Sequence, residues 1–201
     1  VFSVIGVMTA IRTMESSINA GLNVFGTNTF SIQKYPAINM GGSSAWRKYH
    51  NRQNITLKQY NELQNIAKLP ALLSVSTSSF GKTIKYKEKQ AKNYPEIYAG
   101  DKGTVRVYNT YIEYGRNIIS EDVHLKKRVA LIGGDVVDQL FPFEEPLNKT
   151  ISIDGINFRV IGVTERKGKA FGQSNDNYIV IPITTHLQYF SNPRTTLSIT
   201  V

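Results

Sequence analysis

The absences in this sequence already exclude several classes of site. It contains no cysteine, which rules out disulfide bonds, thiolate metal ligands and cysteine nucleophiles. His50, His124 and His186 are its only histidines, and they lie far apart without metal-ligand spacing. The apolar, uncharged opening at residues 1–11 is shorter than the roughly 20 residues that span a bilayer. We interpret this opening as the end of a longer hydrophobic helix, with an ordinary buried helix start as the alternative.

What is present suits a globular, basic domain. Hydrophobic residues make up 41% and charged residues 19% of the 201 positions, a balance typical of folded rather than disordered chains. The formal net charge is +9, and five lysines fall between Lys82 and Lys92. A solvated basic surface is one interpretation, and binding to anionic lipid head groups or to nucleic acid are the others. Nucleic acid is the weaker alternative, because neither an aromatic RNA-binding motif nor a zinc finger accompanies the lysines.

Three motifs for catalysis or nucleotide binding are incomplete. Residues 81–83, Gly-Lys-Thr, resemble the end of a phosphate-binding loop, but Ser76 stands where its first glycine is required. Residues 128–134 lead from a predicted strand into glycines without the G-x-G-x-x-G pattern of dinucleotide sites. Ser79 and Lys82 match S-x-x-K, in which a lysine activates a serine, but the companion motifs are missing.

The remaining titratable residues suggest no catalytic pair either. His186 follows two threonines, so we expect it near a helix start in a solvated or capping role. Glu121 and Asp122 are neighbours, and adjacent acids on one loop rarely act as an acid–base pair across a cleft. We expect both to be surface or cap residues. The sequence therefore predicts a domain that is not an enzyme and that binds no cofactor or metal.

Two helices and a loop are predicted in the first third of the chain. Apolar residues three or four apart predict one helix over residues 1–25. Thr56 and Gln59 have the spacing of a capping box, which predicts a second helix beginning there. Between them, residues 34–54 contain proline, paired glycines and the single tryptophan, and predict a loop.

Short strands broken by glycine dominate from about residue 96. Asp154-Gly155 between two apolar segments predicts a tight hairpin, and Gly133-Gly134 predicts the start of a short helix. Strands are predicted at residues 27–33, 72–79, 96–99, 104–107, 128–132, 150–153, 157–163, 178–181 and 196–201, with one more strand in the lysine run. The first and the last of these alternate between polar and apolar residues.

An ordered series of short motifs covers most of the chain. The series consists of Gly26-Thr27-Asn28-Thr29, Tyr114-Gly115-Arg116, Glu121-Asp122, Arg128 to Gly133, Leu140-Phe141, Pro146, Lys149, Ile151, Gly155, Phe158 to Val163, Asp176, Ile181-Pro182 and Thr184-Thr185. In this order the motifs resemble the periplasmic core domains of MacB-type ABC transporter permeases. Residues 35–100 match least.

This resemblance implies an α+β fold with two lobes. A porter-like α/β lobe would comprise residues 1–95, including the long N-terminal helix, together with residues 194–201. A β-rich lobe, called Sabre in the family, would be inserted between them at residues 96–193. We expect the inserted lobe to have a sheet separate from the strand at Phe30 and Ile32.

The resemblance also implies the role and the partners. Such a domain lies in the periplasm, between membrane helices of a bacterial inner-membrane transporter, and couples ATP hydrolysis to export or extraction of a substrate by mechanotransmission. The implied partners are a cytoplasmic ATPase, a periplasmic adaptor, the membrane through flanking helices, and a second copy in the full transporter, whereas the isolated domain would be a monomer. A signalling or lipoprotein-releasing permease is the alternative within the family.

Two loops are the predicted contact surfaces. The first, residues 35–54, places apolar side chains among glycines and serines, where they are costly unless a partner covers them. The second, residues 165–177, is a basic, glycine-flanked segment with one aromatic residue. The predicted contact residues are Tyr35, Met40, Trp46, Arg166, Lys167 and Phe171.

Overall fold

The computed structural model describes residues 30–36, 47, 49–67, 73–170 and 172–201, which form the predicted α+β fold. Its helices are α1 (Leu57–Ile66), α2 (Thr104–Val107), α3 (Ser120–His124), α4 (Gly134–Leu140) and α5 (Ile183–Tyr189). Its strands are β1 (Ser31–Ile32), β2 (Ser74–Ser79), β3 (Ile84–Tyr86), β4 (Lys89–Gln90), β5 (Glu96–Gly100), β6 (Ile112–Gly115), β7 (Val129–Ile132), β8 (Thr150–Ile153), β9 (Ile156–Thr164), β10 (Lys169–Ala170), β11 (Gln173–Ser174), β12 (Tyr178–Pro182) and β13 (Ser198–Thr200).

Eleven of these strands form one mixed sheet. Ten follow in the order β1-β13-β2-β5-β12-β7-β9-β8-β3-β4, and β6 pairs with β9. β12 runs parallel to β5, and β7 runs parallel to β9, while the other neighbours in this sheet are antiparallel. β10 and β11 form a separate small hairpin. Strands β12 and β7 lie centrally, and every residue in both is buried, as expected for strands covered on two faces.

Alternate residues of the central strands supply two cores, one on each face of the sheet. Ile132 and Ile179 belong to the larger core, whereas Leu131 and Val180, their sequence neighbours, belong to the smaller one. The sheet therefore buries apolar side chains in both directions. Helices α1, α4 and α5 contribute Tyr60, Leu140 and Ile183 to the larger core, and α2 contributes Val105 to the smaller one.

Two local predictions are confirmed. At the start of α1, the Thr56 amide donates to the Gln59 side chain at 2.9 Å, and the Thr56 hydroxyl accepts from the Gln59 amide at 3.4 Å, which completes the capping box. Asp154 and Gly155 have φ of 47° and 83° and connect β8 to β9, as expected for a two-residue hairpin turn.

The predicted strand at residues 104–107 is wrong, because these residues form α2. The Asp101 carboxylate accepts hydrogen bonds from the Gly103 amide at 2.9 Å and from the Thr104 hydroxyl at 3.4 Å. Side-chain bonds of this kind favour a helix start over an extended chain. Val105 on this helix packs into the smaller core.

The expectation of a separate sheet for residues 96–193 is also wrong. Strand β2 pairs with β5, and β3 pairs with β8, so hydrogen bonds cross the predicted boundary between residues 95 and 96 at two places. Strand β1, with Ile32, belongs to the same sheet. The physical reason is that β5 would otherwise leave one row of backbone donors and acceptors unpaired. The division into lobes, residues 1–95 with 194–201 and residues 96–193, stays a prediction.

The helix predicted over residues 1–25 lies outside the described residues. In the part of the chain that is described, no helix has the length and hydrophobicity needed to cross a bilayer.

Candidate functional site

An aromatic cleft opens on the face of the sheet that carries the smaller core. Tyr98 on β5, Tyr178 on β12 and Tyr108 after α2 contribute to its lining, and its volume is about 350 Å³. The ring centre of Tyr98 lies 5.4 Å from that of Tyr108 and 5.7 Å from that of Tyr178. Such tilted and edge-to-face contacts hold aromatic rings in fixed orientations. Because β5 and β12 pair directly, the sheet sets the separation of two of the three rings.

Protein groups already satisfy the three phenol hydroxyls. Tyr98 donates to Glu96 at 2.8 Å, Tyr178 donates to the Thr164 hydroxyl at 2.8 Å, and the hydroxyl of Tyr108 lies 3.2 Å from that of Ser76. Burial raises the pKa of Tyr98, and the hydrogen bond and negative charge of Glu96 raise it further. The cleft therefore offers ring surface rather than free hydroxyl groups.

Lys167 lies at this cleft, where its ammonium donates to the carbonyl oxygen of Tyr108 at 2.6 Å. Burial lowers the pKa of Lys167, an effect that the nearby negative charge of Asp176 opposes. Asp176 is itself buried, and its two carboxylate oxygens accept the backbone amides of Lys167 at 2.7 Å and Gly168 at 2.8 Å. Asp176 thereby fixes the base of the β10–β11 hairpin beside the cleft.

The predicted contact residues lie in different places. Arg166 makes two hydrogen bonds to Asp138 on α4, at 2.8 and 2.6 Å, and Lys167 faces the cleft. Tyr35 follows the edge strand β1 and is half-buried, with the Lys34 ammonium 5.5 Å from its ring centre. Met40, Trp46 and Phe171 lie outside the described residues. Arg166 and Lys167 thus both bond to other parts of the domain, at α4 and at Tyr108. Tyr35 lies elsewhere, so these three residues do not form one contact surface.

His186 was predicted to be solvated or capping, and the first alternative is wrong. It is only 1% exposed, and its Nε2 lies 3.1 Å from the Ser79 hydroxyl. The S-x-x-K motif had suggested Lys82 as the partner of Ser79, but Lys82 forms an ion pair with Asp154 at 2.9 Å. A serine beside a histidine resembles a nucleophile with its base, but Nδ1 of His186 has no hydrogen-bond partner within the described residues. The third group that would orient the base is therefore missing there.

Asp122 is a cap residue, as predicted, but it is not at the surface. Its carboxylate is fully buried. It accepts two hydrogen bonds from the Arg116 guanidinium, at 2.6 and 3.2 Å, and one from the backbone amide of Ile119 at 3.1 Å. Burial alone would raise the pKa of Asp122, but these hydrogen bonds and the charges of Arg116 and Lys127 together lower it. The cluster fixes the turn between β6 and α3.

The described residues form neither a phosphate-binding loop at residues 81–83 nor a metal site. Residues 81–83 connect β2 to β3, so no helix N-terminus follows the glycine as a phosphate loop requires. Among the described residues, no group of three or more histidines, aspartates and glutamates is arranged to hold a metal ion.

Comparison with known proteins gives consistent matches. A family model described as the MacB-like periplasmic core domain matches residues 1–201. The macrolide export ATP-binding/permease protein MacB of Chlorobium phaeobacteroides is 30% identical over 189 residues, covering 92% of this chain and 27% of that protein. MacB of Neisseria meningitidis serogroup A is 28% identical over 200 residues, covering 99% of this chain and 29% of that protein. The chain thus spans a little over a quarter of the length of these relatives.

Solved structures agree on the fold. The periplasmic region of MacB from Actinobacillus actinomycetemcomitans superposes with a TM-score of 0.70 at 24% identity, covering 90% of this chain and 76% of that one. The extracellular domain of the noncanonic ABC-type transporter YknZ from Gram-positive bacteria gives a TM-score of 0.64 at 18% identity, with 87% and 83% covered.

Proposed function

Because this chain belongs to the family of MacB-like periplasmic core domains, we propose that it is the coupling domain of an ABC transporter permease. In this role it carries motion, driven by ATP hydrolysis on a cytoplasmic partner, to the export or extraction of a substrate. The match of the family model across residues 1–201 is the observation that carries the proposal. It supports a location outside the cytoplasm, and we propose the bacterial inner membrane as the domain's anchor.

The edge of the sheet suits the transmission of force. Phe30 and Val201 exchange two backbone hydrogen bonds, at 3.1 and 2.9 Å, beside the pairing of β1 with β13. The hydroxyls of Ser31 and Thr200 add a third bond at 3.0 Å. Displacement of either strand therefore acts on both, and it passes from β13 through β2 and β5 into the central strands.

The partners follow from the same proposal. Relatives named ATP-binding/permease proteins suggest an ATPase, on the same chain or on a separate subunit. We further propose a periplasmic adaptor and a second copy of the permease as partners in the assembled transporter. We propose that the domain itself catalyses no reaction, because Ser79 and His186 lack an orienting acid within the described residues.

A proline scan of the edge tests the coupling role in the full-length transporter. In an antiparallel ladder, hydrogen-bonded and non-hydrogen-bonded residue pairs alternate. Phe30 and Val201 form a hydrogen-bonded pair, and Ser31 and Thr200 form the next, non-hydrogen-bonded pair. The Ile32 amide is therefore expected to donate to Ile199 on β13. Ile32→Pro removes a ladder donor, so we expect ATP hydrolysis to continue while export falls. Export and phosphate release are measured on the same preparation.

Ser31→Pro is the control for the proline itself, since the Ser31 amide points away from β13. Because this change also removes the Ser31–Thr200 hydroxyl bond, Ser31→Ala is measured beside it. Both variants should export near the wild-type level. Normal export by the Ile32→Pro protein, at a normal rate of ATP hydrolysis, would show that this edge does not carry the coupling.

A second experiment tests the contact role of Arg166. Its ion pair with Asp138 is exposed, so removing either partner should change the free energy of unfolding by less than about 1 kcal/mol. If Arg166 contacts a protein partner, Arg166→Ala lowers export whereas Asp138→Ala, which frees the same arginine, does not. Export is measured in the full-length transporter, and thermal melting of the 201-residue chain checks the fold. Equal loss of export in both variants would assign the pair to structure alone.

A further inference from the structure

Lys167 differs from the other basic side chains that lie near acids in this fold. Lys82, Lys87, Lys127 and Arg166 each pair with a carboxylate, at distances between 2.6 and 2.9 Å. Among the described residues Lys167 forms no such ion pair.

Asp176 is the acid whose charge acts on Lys167, but its carboxylate binds backbone amides instead of the lysine ammonium. Asp176 uses both oxygens to accept the backbone amides of Lys167 and Gly168. The Lys167 ammonium is left with the Tyr108 carbonyl, which is neutral. A cation that has lost part of its hydration and forms no direct ion pair gains free energy when an anion replaces the missing water. The lowered pKa of Lys167, caused first by burial, agrees with this incomplete compensation.

The walls beside Lys167 favour a flat, apolar body. Tyr98, Tyr108 and Tyr178 present ring surface, and Val105 and Val180 extend it. A volume of about 350 Å³ falls within the range of small-molecule sites, which combine apolar walls with a few polar groups.

One further polar atom at the cleft is unsatisfied. Asn177 lines the cleft, and its side-chain oxygen is buried without a hydrogen-bond partner within the described residues, although its amide group donates to Asn93 at 3.4 Å. A buried acceptor without a donor costs free energy, which a ligand N–H group can recover.

We propose that this cleft binds a small aromatic carboxylate, with the carboxylate on Lys167 and the ring on the three tyrosines. An N–H group on the ring system would donate to Asn177. Glu96 also lines the cleft, and its negative charge disfavours a carboxylate placed beside it. The site is independent of the coupling role proposed above, since nothing in it involves β1 or β13.

Three ligands that share an indole ring and carry side chains of similar length but different charge test the proposal. Indole-3-acetate carries the carboxylate, indole-3-acetamide replaces it with a neutral amide, and tryptamine carries an amine. Titration of each into the 201-residue chain, followed by calorimetry and by amide chemical shifts, should give saturable binding of indole-3-acetate with shifts around Lys167 and Tyr98. The amide should bind about tenfold more weakly, as expected for loss of a charge-assisted hydrogen bond, and the amine more weakly still.

Variants separate the contributions. Lys167→Met keeps the apolar stem and should remove the preference for indole-3-acetate over its amide. The melting temperature should fall only slightly, because the variant loses one hydrogen bond to the Tyr108 carbonyl and no ion pair. Lys169→Met, in the adjacent exposed hairpin, is the matched control and should bind as the wild type does. Glu96→Gln should strengthen binding of the carboxylate about threefold by removing repulsion. Stronger binding of tryptamine than of indole-3-acetate, unchanged selectivity in Lys167→Met, or no saturable binding at millimolar ligand would each overturn the proposal.

Discussion

Replacing Gly115 by alanine is expected to lower the free energy of unfolding by about 4 kcal/mol, a large part of the roughly 5–15 kcal/mol that stabilises an ordinary domain. Gly115 has φ of 84°, a region that costs an L-residue about 1 kcal/mol or more. A Cβ atom there would also overlap the carbonyl oxygen of Ile161 and lie 2.8 Å from the Cα of Gly162. Both neighbours are backbone atoms of β9, so they cannot rotate away as a side chain could.

Gly155→Ala separates the cost of the positive φ from the cost of the overlap with β9. Gly155 has nearly the same φ, 83°, but no atom lies within 4 Å of the position of an added Cβ. We expect it to lose only about 1 kcal/mol, the conformational cost alone. Urea unfolding of both variants, followed by circular dichroism, measures the difference. Equal losses would mean that β9 yields and that the close approach of Gly115 to it is not required.

Acidification from pH 7 to pH 5 is expected to remove about 2 kcal/mol of stability through His186 alone. Burial, with a smaller contribution from the charge of Lys82, lowers the pKa of His186 from 6.5 to about 4. Above pH 6.5 the histidine is neutral in both the folded and the unfolded chain, so it adds no pH dependence. Between pH 6.5 and 4 the unfolded chain binds a proton that the folded chain does not, and stability therefore falls as the pH falls.

His186→Gln provides the control because it keeps a polar side chain next to Ser79 but cannot titrate. Whatever its absolute stability, its free energy of unfolding should change less between pH 7 and pH 5 than that of the wild type. Urea titrations at four or five pH values give both curves. Parallel curves for the two proteins would show that His186 has the same pKa in the folded and the unfolded chain, against the burial described here.

Features set by neighbouring residues could be predicted from the sequence. The capping box at Thr56 and the turn at Asp154-Gly155 each depend on side chains and φ preferences within four residues. The nine-residue strand β9 could also be predicted from its own residues. Its first residues alternate between exposed and buried, and its last five are buried. Local spacing is sufficient for these because no distant partner decides them.

Features that join distant residues could not be predicted in this way. Ser79 and His186 are separated by 107 positions, and the nearer Lys82 gave the only local signal for a partner of Ser79. The cleft combines Tyr98 and Tyr178 only because β12 pairs with β5 in parallel, an arrangement that period-two alternation does not specify. The separate sheet was expected from the family resemblance and from the glycine-broken strands after residue 96. That expectation was wrong because a strand pattern does not identify the strand's neighbour.

The short strands β3 and β4 affect whether copies of the domain aggregate through their sheet edges. They form the end of the sheet opposite β1, where an unpaired row of backbone groups could join the sheet of another molecule. Lys85, Lys87 and Lys89 are all exposed on this hairpin, and β4 is only two residues long. Charge repulsion and a brief edge both oppose intermolecular β-pairing. The lysine run is thus placed to keep crowded copies of the domain from aggregating edge to edge.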